Sequence, residues 1–213
     1  MAERNAIVER LLDRHGRTFC AELGVAIGKN TPAPLFQWLV AADLYSTRIG
    51  NRLAEAGAKA LFDAGLTTPD KLAEAGWERR VKLLNAAGFA RMDESYARMI
   101  GEAAELLIEK YHGDLRELRE AAGRDPKQEI RLLQEFKGIG EAGAAIFCRE
   151  VQAVWEELHP FADRKALEAA KALGLGSSAE DLAKLVDRAD FPRLVAALVR
   201  CSLAGDADEI RAA

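Results

Sequence analysis

Two runs with helical periodicity meet at Lys137-Gly138-Ile139-Gly140-Glu141-Ala142-Gly143, and three glycines in seven residues limit what that junction can be. A plain helix–helix turn uses one glycine to reverse the chain. The others permit either close packing of a neighbouring group or close approach of a ligand. A Gly-x-Gly turn that opens a helix leaves its first N–H groups clear of side chains, which suits an anion such as phosphate. An ordinary tight turn can have the same composition, so the heptapeptide alone leaves both readings open.

The rest of the chain is helical in pattern. Ile7, Val8, Leu11 and Leu12 share one face, and Gly16 closes that helix. Residues 24–34 read as a Gly/Pro-rich linker, 34–44 as a helix buried on most sides, and 49–64 as a helix ending at Gly65. Thr68-Pro69 and Asp125-Pro126 are helix starts, a capping side chain followed by proline in the first turn. Helices are also expected over 77–87, 93–111, 115–122, 144–157, 164–173, 179–186 and 191–203. The acidic tail after Gly205 is expected to fray. No alternating β-branched strand pattern competes, so the fold class is all-α.

Composition narrows the function classes. The chain has 213 residues, 49% hydrophobic and 30% charged, which is globular and large enough for one or two cores. No uncharged apolar run approaches a membrane span and the first residues do not open a signal peptide, so a cytoplasmic protein is expected, with no membrane partner. Cys20, Cys148 and Cys201 are too scattered for a disulfide framework or a CxxC site, and His15, His112 and His159 do not add a zinc site. A net charge of −4 argues against strong nonspecific nucleic-acid binding while leaving room for a local basic face. A monomer is the expectation.

The segment LLQEFKGIGEAGAAIFCREV resembles the helix–hairpin–helix motif of the endonuclease III-like DNA glycosylase superfamily, with its apolar-x-Gly-apolar-Gly turn and small residues after it. The loop His159-Pro160-Phe161-Ala162-Asp163 is similar to the family's Gly/Pro-rich loop ending in Asp. Upstream, residues 34–51 resemble the family's buried helix and polar turn, and Thr67-Thr68-Pro69 to Ala75 its next short helix. Gly88-Phe89 with Tyr96-Ala97-x-x-Ile100 is similar to the loop and long helix before the hairpin. The likeness runs from about Pro34 to Leu173.

That resemblance implies a two-lobed fold. A six-helix lobe over 34–147 would contain the hairpin (126–147), and residues 1–33 with 148–213 would form the second lobe, with Asp163 facing the cleft between them. Asp163 would be the carboxylate that stabilises positive charge on the sugar as the base leaves; as a bare feature it reads first as an N-cap for the helix that follows, and both roles can hold at once. Backbone around Gly138, Gly140, Ala142 and Gly143 would bind phosphate of duplex DNA, and carbonyls of that loop would hold a monovalent cation.

Two departures stand out. Ala142 occupies the place of the lysine that gives bifunctional members lyase activity, so a monofunctional N-glycosylase is implied. Glu141 stands where a basic residue is commoner, and its charge opposes phosphate. Lys137 and Lys165 are substitute amines, phosphate contacts or solvated lysines. Arg48 in Ser46-Thr47-Arg48 is the candidate wedge for a flipped base, or a surface arginine opposite Glu55 or Asp43; Phe89 is an apolar wedge or core. Asp43 interrupts the apolar run WLVAADLY, so it is a protonated acid able to donate to a leaving base, or the partner of Arg48 or Arg52. Cys201 stands alone where many members carry four cluster-binding cysteines, so no iron–sulfur cluster is expected. A DNA-binding protein that keeps the fold without the chemistry, and a protein-interaction module whose hairpin only packs helices, are the competing readings.

Overall fold

In the computed structural model, which describes residues 2–89 and 92–212, the described residues form helices joined by short turns, with no strand among them. None of these helices is long and apolar enough to cross a membrane. The chain divides into two compact units, Leu23–Phe147 and Met1–Glu22 with Cys148–Ala213. Residues 23–33, expected with the terminal segments, group with the middle of the chain.

The middle unit runs through α3 (Pro32–Ser46), α4 (Asn51–Asp63), α5 (Pro69–Glu74), α6 (Gly76–Ala86), α7 (Asp93–Tyr111), α8 (Leu115–Ala121) and α9 (Pro126–Leu133), and ends within α10 (Glu141–Val151). α3 is its core: every residue from Leu35 to Leu44 except Gln37 is buried, and the Trp38 indole N–H donates to the Phe147 carbonyl at 3.0 Å. α7 lays Tyr96, Ala97, Ile100, Ala104, Leu107 and Tyr111 inward, against α5 and α6. The starts follow the local chemistry. Thr68, Asp114 and Asp125 each accept a backbone N–H from their helix's first turn. The buried Arg80 of α6 donates Nε to the Ala97 carbonyl (2.9 Å) and Nη1 to that of Leu72 (2.8 Å), joining three helices; burial lowers its pKa. Gly101 makes room for it, since a Cβ there would lie 2.4 Å from Arg80 Nη2.

The other unit is centred on α13 (Phe191–Ala204), which packs against α1 (Ala2–His15) and α11 (Arg164–Ala172). α2 (Phe19–Glu22) is held at its start by Glu150, whose buried carboxylate accepts the N–H groups of Phe19 (2.5 Å) and Cys20 (2.8 Å). α12 (Ala179–Ala183) follows, capped by Ser178. The acidic tail is ordered, contrary to the expectation of fraying. α14 (Ala207–Ala212) buries Ile210, Arg10 donates to the Ile210 carbonyl at 2.8 Å, and Asp206 takes Arg14 at 3.0 Å and His15 at 2.8 Å. One apolar side chain and these partners suffice to dock a six-residue helix.

Candidate nucleic-acid interface

The hairpin is α9, a turn over residues 134–140, and the start of α10. Phe136 N–H donates to the Leu133 carbonyl and Ile139 N–H to that of Phe136, winding the turn down while Phe136 and Ile139 anchor it in the core. Phe136 stacks on Tyr111 with ring centroids 6.2 Å apart. The first bond of α10 runs from Ala144 N–H to the Gly140 carbonyl at 3.0 Å. The N–H groups of Glu141, Ala142 and Gly143 precede it, and no helix supplies intrahelical partners for its opening N–H groups.

The three glycines are not equivalent. Gly138 has φ +88° and faces Asp43 and Met99: an added Cβ would lie 2.5 and 2.6 Å from the two Asp43 carboxyl oxygens and 2.7 Å from Met99 Cε. Gly143 is buried, with a would-be Cβ at 3.4 Å from Ile139 and 3.6 Å from Ser46, ordinary contact distances. Gly140 is exposed, its φ is not left-handed, and a Cβ there would meet nothing within 4 Å. Packing explains the first, tolerates the second as small, and says nothing about the third.

Asp43 therefore lies directly behind the hairpin. Its side chain is buried, neither carboxyl oxygen has a hydrogen-bond partner among the described residues, and burial alone pushes its pKa up to about 7. No Arg48 or Arg52 charge contributes to that shift, so the ion-pair alternative is not the arrangement seen. Arg48 and Lys137 are exposed, as are Glu141 and Ala142. Phe89 is core, edge-on to Tyr96 and packed over Gly57, so it is not presented as a wedge.

Asp163 and the exposed Lys165 belong to the other unit. Asp163 is the N-cap of α11, its Oδ1 accepting the Ala166 N–H at 3.1 Å. Its Oδ2 takes both Nε and Nη2 of Arg149 at 2.5 Å, and both side chains are buried. Gln152 closes the loop between them: its Nε2 donates to the carbonyls of Arg149 (2.7 Å) and Phe161 (2.8 Å), and its Oε1 accepts the Phe161 N–H at 2.9 Å. Arg149 and Gln152 are residues that sequence reasoning missed. The signal was available, because Arg149-Glu150 interrupts the apolar run AGAAIFCREVQAVW as Asp43 interrupts its own. Among the described residues, no group of three or more His, Cys, Asp or Glu is placed to hold a metal ion, and Cys20, Cys148 and Cys201 are buried and form no disulfide.

No protein-family description matches this sequence, and no curated protein matches it. Solved structures do. A trapped covalent intermediate of endonuclease III with DNA, an estranged-adenine complex, aligns with 20% identity over 76% of this chain and 71% of that one, at a TM-score of 0.48. A non-covalent endonuclease III–DNA complex aligns with 20% identity over 80% of this chain and 72% of that one, at a TM-score of 0.51. On the second of these likenesses, the chain has an endonuclease III-like, all-α fold.

Proposed function

We propose that this protein binds duplex DNA through the phosphate backbone, using the N–H groups at the start of α10 as the contact. One observation carries the reading: Gly140 is a glycine with no conformational or packing reason to be one, on an exposed turn, immediately before a helix N-terminus. The non-covalent endonuclease III structure that shares the fold is a DNA complex, which supports the same assignment. With Ala142 in the lysine position, Schiff-base lyase chemistry is not expected.

The ion pair at Asp163 favours binding without base excision, because a carboxylate already neutralised by Arg149 gives little stabilisation to a cationic sugar. Hydrolytic excision, leaving an abasic site in an uncut strand, is the second reading; Asp163 keeps a carboxylate at the position that the family resemblance assigns to that chemistry. Duplexes carrying single altered bases, incubated with the protein and then heated in alkali, separate the two. We expect salt-sensitive binding without strand cleavage, and no change in binding for Asp163→Asn. Alkali-dependent cleavage that vanishes in Asp163→Asn would establish the second reading instead.

Glu141 supplies a further check. It is exposed in the first turn of α10, where its charge favours the helix dipole but repels phosphate. Glu141→Gln should tighten DNA binding about fivefold, the equivalent of roughly 1 kcal/mol for charges near 4 Å in water. Glu141→Lys should also steepen the dependence of log K on log salt by about one unit. Fluorescence anisotropy with a labelled duplex at two salt concentrations measures both. Affinity unchanged in either variant would place the phosphate elsewhere.

A further inference from the structure

The reading of Asp163 as the fold's carboxylate leaves unexplained why this chain places an arginine on it. The contact is not a surface accident. The Arg149 and Asp163 side chains are 6% and 7% exposed, and both donors of the guanidinium edge, Nε and Nη2, end on one oxygen. The guanidinium also sits 5.4 Å from the Phe19 ring centroid. Gln152 ties the backbone of Arg149 to that of Phe161, two residues before Asp163, which fixes the spacing of the two backbone segments that carry the pair. The Asp163 oxygens are thus both engaged, one by a resident cation and one by the Ala166 N–H.

Hydrolysis of an N-glycosidic bond breaks C1′–N, with the bonding pair leaving on the base. A water oxygen then bonds C1′, one water hydrogen remaining on the new hydroxyl and the other neutralising the departed base. Positive charge builds on the sugar before water bonds, and the carboxylate's task is to face that charge. An arginine hydrogen-bonded to the carboxylate offsets its field and adds a repulsive cation of its own.

We infer that Arg149 is a built-in counter-ion that holds Asp163 out of base excision, and that its charge rather than its shape is responsible. Arg149 acts through Asp163 and is a positioning residue. The inference rests on the DNA reading above, and one experiment distinguishes their failures.

The full chain, Arg149→Met, Arg149→Gln, Arg149→Lys and the double variant Arg149→Met with Asp163→Asn are each incubated with duplexes carrying a single uracil, dihydrouracil or hypoxanthine. Alkali-labile sites and duplex retention are scored on the same samples. Arg149→Met should yield at least about tenfold more abasic sites than the wild type on one of these duplexes. Arg149→Lys, which keeps the charge, should stay at the wild-type level, and the double variant should yield none. An unpaired buried carboxylate is destabilising, so Arg149→Gln, which keeps a neutral donor facing Asp163, carries the test if the methionine variant fails to fold. A structural role alone would raise the yield of abasic sites in none of the variants and would not separate lysine from methionine. Folded variants that bind duplex yet show no gain overturn the inference, as does a gain shared by Arg149→Lys or a wild type that already cleaves at the variant's level. Absence of duplex binding in all the proteins would instead overturn the DNA reading, and the inference with it.

Discussion

Asp43→Asn should raise the stability of the protein at pH 8 by about 2 to 4 kcal/mol and change it little at pH 4. The unfolded chain loses the Asp43 proton near the ordinary aspartate value of 3.8, and the folded chain holds it to about 7 because burial disfavours the charged form. Between those values the folded state binds one proton more than the unfolded state. Stability therefore falls as pH rises from about 4 to about 7, and above that the wild type carries the whole cost of an ionised, unpartnered carboxylate. Asparagine has nearly the same shape and no charge, so it removes that cost only where the cost exists. Guanidinium midpoints for both proteins at pH 4 and pH 8 give the comparison, and the difference between the two differences isolates Asp43 from every other titrating group. An equal effect at both pH values would mean that Asp43 is solvated or paired in solution.

The opposite sign applies to Asp206, whose pKa is lowered despite the opposing effect of burial, through its contacts with His15, Cys201 and Arg14. Its contribution is present above the unfolded carboxylate pKa and is lost as pH falls through the lower folded value. Together the two carboxylates narrow the pH range of greatest stability from both sides.

Asp43 also marks how far the sequence could be read. Its oddity was visible as one charge in an apolar helix, because burying a charge needs a reason wherever it occurs. Its setting was not visible: the contact with Gly138 joins residues ninety-five positions apart by number and depends on how α3 crosses the hairpin. The helices themselves were legible where capping chemistry coincided with apolar periodicity, as at Thr68-Pro69 and Asp125-Pro126. Periodicity misled where a helix stops for tertiary reasons. Residues 144–157 read as one helix, but α10 ends at Val151, Trp155 is extended, and Glu156–Leu158 forms a separate 3-10 turn. Gln152 turns to hold the Phe161 backbone there, a long-range bond that no local pattern announces. Arg149 was missed for the same reason: its partner lies fourteen residues on, beyond any helical spacing.

The hairpin glycines test whether their three environments differ as sharply as the geometry says. Gly138→Ala should destabilise the protein by about 3 kcal/mol or more, combining a left-handed φ with a methyl group driven into the Asp43 carboxyl. Met99 Cε lies at the end of a flexible side chain and can give way; the short, buried Asp43 side chain has little room to do so. Gly140→Ala should change stability by no more than about 0.5 kcal/mol, since the added methyl meets no atom and the backbone is not left-handed. Yet this silent variant should lose about tenfold in DNA affinity, the loss expected when a methyl group stands between a backbone N–H and a charged phosphate oxygen. Denaturant midpoints and low-salt anisotropy on the same two proteins give four numbers. Two glycines two residues apart would then separate cleanly, one maintaining the fold and the other serving the ligand. Unchanged affinity in Gly140→Ala would show that the open face of the turn is not where DNA lies, and the hairpin would be left with packing as its only purpose.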